Sequence, residues 1–104
     1  MQTRCALVGM PGCGKSTVGR HLARRLGLPF VDLDQRLEQQ LGCSIRSYFE
    51  EHGEPAFREH EAALLAALAA ESGAMVLSTG GGAVLRAENR AALRGGFSHV
   101  MYLR

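Results

Sequence analysis

The stretch that decides the fold runs from residue 9 to residue 17 and reads Gly9-Met10-Pro11-Gly12-Cys13-Gly14-Lys15-Ser16-Thr17. It fits the phosphate-binding pattern G-x-x-x-x-G-K-[S/T]. An apolar run at residues 5–8 precedes it and is typical of a buried strand. Val18, Leu22 and Leu26 follow it at every fourth residue and predict the buried stripe of a helix. A glycine-rich turn that matched by chance would not be framed by a strand and a helix in this way.

The composition of this loop suits phosphate chemistry. Glycines let backbone amides turn inward around phosphate groups, and the N-terminus of the following helix adds positive potential. Lys15, the only lysine among twelve basic residues, would reach the β and γ phosphates, and Ser16 would ligate magnesium. We therefore expect ATP contacts from Gly12, Cys13, Gly14, Lys15, Ser16 and Thr17, with the thiol of Cys13 a neutral spacer.

Apolar runs alternate with longer helical patterns along the rest of the chain, which is the order expected of a parallel sheet covered by helices. We predict further strands at Phe30–Asp34, Met75–Leu77 and Val100–Leu103, and helices from Gln35 to Leu41, from Glu54 to before Gly73 and from Glu88 to Arg94. Gly27 and Gly42 should end the first two helices, and Ser44 should cap the next one. The prediction is a single α/β domain over residues 1–104. Because a core strand is the last element, we expect a truncated chain.

Composition and charge exclude several classes of function. The formal net charge of +2 comes from basic residues that are scattered, so neither nucleic acid nor a membrane surface is indicated as a partner. Three cysteines without paired spacing predict neither a disulfide framework nor a zinc site, and they fit reduced thiols in a cytoplasm. The apolar run near the N-terminus is too short for a signal sequence or a membrane span. The histidines at 21, 52, 60 and 99 show no metal-ligand spacing.

Asp32 and Asp34 are the only aspartates of the chain, and they stand two residues apart at the end of the second predicted strand. On a strand both carboxylates would point to the same face, at the sheet edge where open α/β proteins bind ligands. One carboxylate could then lie near a metal ion, and the other could hold or deprotonate an acceptor hydroxyl. The alternative is that Asp34 is only a helix N-cap, which would leave Asp32 unexplained.

Two further features follow in the sequence. Arg58 and Glu61 are three residues apart on a predicted helix, and Glu61 falls on its apolar stripe, so the pair could present Arg58 to an anion. A solvated surface ion pair is the alternative. Gly80, Gly81 and Gly82 end the third predicted strand and would permit close backbone approach to a ligand, unless they form only a loop.

Taken together, four motifs resemble the shikimate kinase family in their order and spacing. They are residues 9–17, the Phe30–Asp34 stretch, Gly53-Glu54-Pro55-Ala56-Phe57-Arg58-Glu59-His60-Glu61, and Ser78-Thr79-Gly80-Gly81-Gly82. The resemblance implies a P-loop fold of the nucleoside-monophosphate-kinase type and transfer of the γ-phosphoryl group of ATP to the 3-hydroxyl of shikimate. It also implies that Asp34, Arg58 and Gly80 to Gly82 contact shikimate. Asp32 would assist magnesium and the acceptor, and Glu61 would brace Arg58.

The family continues past the fourth strand with an arginine-bearing lid, a second substrate arginine and adenine contacts, which have no counterpart in these residues. We therefore expect an active kinase to extend beyond Arg104. We also expect it to work as a monomer. Two alternatives stay open at this point. One is another small-molecule P-loop kinase such as a gluconate kinase, against which Arg58 argues because a carboxylate suits a bidentate partner. The other is a nucleotide-binding module without catalysis.

Overall fold

A parallel sheet of four strands forms the centre of the computed structural model, which describes residues 3–9, 15–71, 73–80, 83 and 86–103. The side chains of residues 15, 16 and 103 lie outside that description. The strands are β1 (Arg4–Gly9), β2 (Phe30–Asp32), β3 (Met75–Ser78) and β4 (His99–Leu103), in the spatial order β2-β3-β1-β4. All neighbouring strands pair in parallel, so their carboxyl ends meet at one edge of the sheet.

Helices connect the strands, which confirms the predicted α/β architecture. They are α1 (Lys15–Leu26), α2 (Leu33–Leu41), α3 (Ile45–His52), α4 (Glu54–Ala70) and α5 (Ala87–Gly96). Gly42 ends α2 in the left-handed conformation, and the Ser44 hydroxyl caps α3 by accepting a hydrogen bond from the Ser47 amide at 3.1 Å, both as predicted. Within the described ranges, no helix is both long and apolar enough to cross a membrane.

The side chains of each strand alternate between two apolar layers, one on each face of the sheet. Helix α1 covers one face, where Ala23 packs with Cys5, Leu7 and Val76. The other face is thicker and is covered by three helices. It contains Ala6 and Val8 of β1 and Leu77 of β3, packed with Leu37, Leu65 and Leu93 from α2, α4 and α5. The sheet is therefore the middle of three layers.

The predicted buried stripe of α1 is wrong for Val18 and Leu26, whereas Leu22 is partly buried and packs against the core. Val18 and Leu26 are 40% and 47% exposed, whereas Gly19 and Ala23 face the sheet. A Cβ on Gly19 would come within 2.5 Å of the Phe30 ring, so only a residue without a side chain lets the helix lie this close to β2. Small residues that allow close packing, rather than large apolar ones, therefore set the buried face of α1.

Arg4 is buried at the amino end of β1, on the side of the sheet opposite to the motif loops. Its guanidinium donates hydrogen bonds to the carbonyl oxygens of Leu68 at 2.6 Å, Gly73 at 2.6 Å and Gly96 at 2.7 Å, and it lies 4.8 Å from the centre of the Phe97 ring. Leu68 and Gly96 belong to the last turns of α4 and α5. The cation thus satisfies carbonyls that a helix C-terminus leaves without partners inside the helix.

Candidate active site

The three predicted ligand-binding motifs lie at one edge of the sheet. Residues 10–14 lie in the sequence between the carboxyl end of β1 and the first residue of α1, so the predicted position of this motif between a strand and a helix is confirmed. β3 lies between β1 and β2, and Ser78 is in register with both Leu7 and Asp32. The ends of the three strands are therefore neighbours, as expected of a ligand site in an open α/β sheet.

Several predicted site residues fall outside the described residues. They are Gly12, Cys13 and Gly14, the side chains of Lys15 and Ser16, and Gly81 and Gly82. Of the predicted ATP-binding set, Thr17 is described in full and lies exposed in the first turn of α1. The roles of these residues remain predictions.

The prediction that Asp32 and Asp34 share one face of a strand is wrong. β2 ends at Asp32 and α2 begins at Leu33, so Asp34 lies in the first turn of a helix. Asp32, rather than Asp34, is the N-cap, and its carboxylate accepts a hydrogen bond from the Gln35 amide at 3.2 Å. The helix begins early because Leu33 and Leu37, four residues apart, are both fully buried in the core.

The structure nevertheless brings Asp34 to the predicted glycine motif. A Cβ built on Gly80 would come within 2.6 Å of Oδ1 of Asp34 and 3.2 Å of its carboxyl carbon. The carboxylate therefore rests on the α-carbon of Gly80, at a distance that a larger residue would not allow. This contact joins the sequence after β2 to the sequence after β3.

Two residues that the sequence analysis overlooked hold the glycine motif in place. Thr79 donates hydrogen bonds from both its amide (3.0 Å) and its hydroxyl (3.1 Å) to the carbonyl of Leu7 in β1. Asn89 of α5, only 1% exposed, donates from Nδ2 to the carbonyl of Ala83 at 2.9 Å. Thr79 stood inside a quoted motif, whereas an asparagine in the first turn of a helix is ordinarily a surface residue, so no local signal marked Asn89 as buried.

The predicted pairing of Arg58 with Glu61 is confirmed. Nη1 of Arg58 lies 3.0 Å from Oε1 of Glu61, and the two side chains are 19% and 1% exposed. Burial at this level excludes the alternative of a solvated surface pair. Arg58 also lies 3.8 Å from Glu54 and over the ring of Phe57, so its guanidinium is held on more than one side while part of it stays open to solvent.

Metal-binding potential is limited in the part of the chain that the structure describes. No three histidine, cysteine, aspartate or glutamate side chains of that part are grouped so that they could hold a metal ion. A site formed by Asp32 with Ser16 would be of a different kind, since it combines a carboxylate with a hydroxyl, and the Ser16 side chain lies outside the described residues.

A family model described as shikimate kinase matches residues 11–104. The shikimate kinase of Paracidovorax citrulli is 56% identical over 89 residues, which cover 85% of this chain and 49% of that protein. The shikimate kinase of Pseudomonas savastanoi pv. phaseolicola is 54% identical over 97 residues, covering 93% of this chain and 55% of that protein. The chain thus spans about half the length of the curated relatives it matches.

Solved structures agree with the sequence relatives. A shikimate kinase from Acinetobacter baumannii, solved in complex with shikimate, superposes with a TM-score of 0.93 at 44% identity and covers 99% of this chain and 56% of its own. A gluconokinase from Sinorhizobium meliloti superposes with a TM-score of 0.56 at 18% identity, over 96% of this chain and 55% of its own. The second likeness extends to the fold alone.

Proposed function

We propose that this chain, which belongs to the shikimate kinase family, forms the phosphate-binding and acceptor-binding part of an enzyme that transfers the γ-phosphoryl group of ATP to the 3-hydroxyl of shikimate. Residues 1–104 would lie within one P-loop kinase domain. The observation that carries the proposal is the contact between Asp34 and Gly80, because it joins two predicted acceptor-binding elements beside the strand that leads into the phosphate loop. Gluconate is the weaker acceptor candidate, since the gluconokinase likeness is one of fold alone.

On the nucleotide side, the amides of residues 12–17 would surround the phosphates of ATP at the N-terminus of α1. Lys15 would contact the β and γ phosphates and follow the negative charge as it moves toward the leaving oxygen. Donors that are fixed before the reaction stabilise such charge without reorganisation. The lysine is therefore assigned a catalytic role.

On the acceptor side, Asp34 would hold the hydroxyls of shikimate while the amides near Gly80, Gly81 and Gly82 approach it closely. Arg58 would bind its carboxylate, because a guanidinium fork forms two parallel hydrogen bonds with a carboxylate. Glu61, buried against Arg58 at 3.0 Å, would fix the direction of that fork. Because the Arg58 side chain is already held in place before the substrate binds, less conformational entropy is lost on binding.

Asp32 would serve both sides, since it lies at the end of β2, next to β3 and one strand away from the phosphate loop. Its carboxylate and the Ser16 hydroxyl are oxygen donors of the kind that suits Mg²⁺. When bound, the metal neutralises charge on the transferring phosphoryl group. Asp32 would also accept the proton of the attacking hydroxyl, and we assign Asp32 and Asp34 together with Lys15 as catalytic residues. We further propose that the enzyme acts as a monomer in the cytoplasm.

A substrate panel tests the proposal. The protein, as its gene encodes it, is assayed for ADP release with ATP·Mg²⁺ and shikimate, gluconate or no acceptor. We expect turnover with shikimate alone. Lys15→Ala should abolish turnover and leave the circular dichroism spectrum unchanged, whereas Arg25→Ala, in the last turn of the same helix, should keep both. Preference for gluconate, or ATP binding without transfer to any acceptor, would overturn the proposal.

A further inference from the structure

After β3 the backbone is held by hydrogen bonds at two described residues, Thr79 and Ala83. Thr79 donates two hydrogen bonds to the carbonyl of Leu7, as described above. The Ala83 amide donates to the Gly80 carbonyl at 3.2 Å, and the Ala83 carbonyl accepts from Asn89 at 2.9 Å. Gly80, which touches Asp34, lies between these two residues in the chain.

Asparagine is an unusual residue at position 89, because this position is buried. It is 1% exposed in the first turn of α5, close to Leu93 of the apolar core. A buried carboxamide loses its bonds to water and is tolerated only when protein groups replace them. Leucine has the same branched side-chain shape and is apolar like its core neighbours, but it would leave the Ala83 carbonyl without this donor. The hydrogen bond to Ala83, rather than apolar packing, therefore explains the asparagine.

We infer that Asn89 is a positioning residue for the acceptor site. Asn89 fixes the Ala83 carbonyl, and the Ala83 amide donates a hydrogen bond to the Gly80 carbonyl. Gly80 in turn lies against the carboxylate of Asp34. This inference rests on the proposed function, because it assigns Asn89 to the binding of the acceptor. Positioning groups of this kind matter because a displacement of about 1 Å at a reacting group can cost about 100-fold in rate.

Two variants and a control test the inference by steady-state kinetics. Asn89→Leu removes the donor and keeps the branched shape of the side chain, so we expect KM for shikimate to rise about 10-fold, because a buried acceptor loses its partner. KM for ATP should stay within about twofold, because the phosphate loop is fastened through β1 and α1 instead. Ser98→Ala is the matched control. It removes the hydroxyl that bridges the amide and carbonyl of Arg4 at the opposite end of β1, and both KM values should stay unchanged.

Asn89→Asp adds a readout that a purely structural role would not give. Its carboxylate would face the Ala83 carbonyl and repel it, whereas its protonated form carries an O–H group that can donate to that carbonyl. Burial raises the pKa of such a carboxyl, so the donor should return as the pH is lowered from about 8 to about 5.5. The ratio of variant to wild-type KM for shikimate should therefore fall with decreasing pH, and the same ratio for Asn89→Leu should stay flat.

Each outcome has one meaning. If wild type phosphorylates shikimate and the Asn89 variants change both KM values alike, or neither, Asn89 has no role in acceptor binding and the inference is wrong. Failure of both variants to fold would assign Asn89 to stability and equally overturn it. If wild type does not use shikimate at all, the proposed function fails first, and the acceptor role of Asn89 fails with it.

Discussion

The carboxylate of Asp34 lies on the α-carbon of Gly80, so close that a Cβ at position 80 would meet Oδ1 at 2.6 Å. The two residues are 46 positions apart in the chain and come together because β2 and β3 pair in parallel, with Asp32 opposite Ser78. An acidic side chain from the first turn of α2 therefore lies against the backbone that follows β3.

Gly80→Ala should move this carboxylate. The backbone of Gly80 is not in the left-handed region, so its torsion angles do not exclude alanine, and the three atoms nearest to the added methyl all belong to Asp34, which must shift. We expect kcat/KM for shikimate to fall about 10- to 100-fold while KM for ATP is little changed. Gly95→Ala is the control, because a Cβ at that helical glycine meets nothing within 4 Å. Equal effects of the two substitutions would contradict the placement of Asp34 by Gly80.

Arg58→Lys should impair acceptor binding even though it keeps the charge. Lysine can still pair with the buried Glu61, but its point charge cannot form two parallel hydrogen bonds with a carboxylate. We expect kcat/KM for shikimate to fall about 30- to 1000-fold, with ATP affinity unchanged. Paired titrations of ATP and shikimate measure this. Arg46→Ala, which breaks an exposed ion pair with Glu50, should change neither affinity. Loss of nucleotide binding with shikimate binding intact would show that Arg58 serves the phosphates or the fold.

Substitutions of Asp32 should separate its two roles. Asparagine keeps an oxygen that can accept from the Gln35 amide, so Asp32→Asn should preserve the free energy of unfolding. Asp32→Ala removes the cap and should lower that free energy by about 1 kcal/mol. Both variants lack the negative charge and should lose most of the phosphoryl transfer. Urea unfolding and the kinase assay together measure the difference. Wild-type turnover by Asp32→Asn would show that only the cap is needed.

Cys5 should be unreactive in the folded chain. Burial raises the pKa of its thiol, and its side chain is 5% exposed on the α1 face of β1. Cys43, in the loop before α3, is partly exposed. In a Cys13→Ser variant, iodoacetamide at about pH 8 should modify Cys43 in the native protein, and Cys5 only after denaturation. Mass spectrometry of the modified peptides gives the result. Rapid native modification of Cys5 would mean that β1 opens readily.

Sequence patterns were sufficient where one local rule decides the structure. The phosphate-loop motif between β1 and α1, the glycine that ends α2 and the serine cap of α3 each depend on residues close together in the chain. The pairing of Arg58 with Glu61 could be predicted for the same reason, since the two share one helix face. The family resemblance is confirmed by the family model over residues 11–104.

The predictions failed where distant packing decides. The stripe of Val18, Leu22 and Leu26 was predicted to be the buried face of α1, but Val18 and Leu26 are exposed. Gly19 faces the sheet instead, because the Phe30 ring leaves no space for a Cβ at that position. The second strand ends two residues early because Leu33 and Leu37 are buried in a core to which α4 and the strands contribute most of the other residues. The inferred positioning role of Asn89 depends on its hydrogen bond to Ala83 and on the bond from Ala83 to Gly80, which could not be predicted from the sequence. None of these partners is adjacent in sequence, so the pattern within a short stretch of the chain could not predict these contacts.

The contacts of Arg4 have a consequence for when β1 can fold during synthesis on the ribosome. β1 is synthesised before both strands that flank it, β3 at residues 75–78 and β4 at residues 99–103, and before the carbonyls at residues 68, 73 and 96 that Arg4 binds. Long-range pairing of this kind must overcome the entropy of closing a large loop before any contact is gained. During synthesis β1 therefore lacks its two neighbouring strands until residues 99–103 have left the exit tunnel, so residues made much later hold this strand in place.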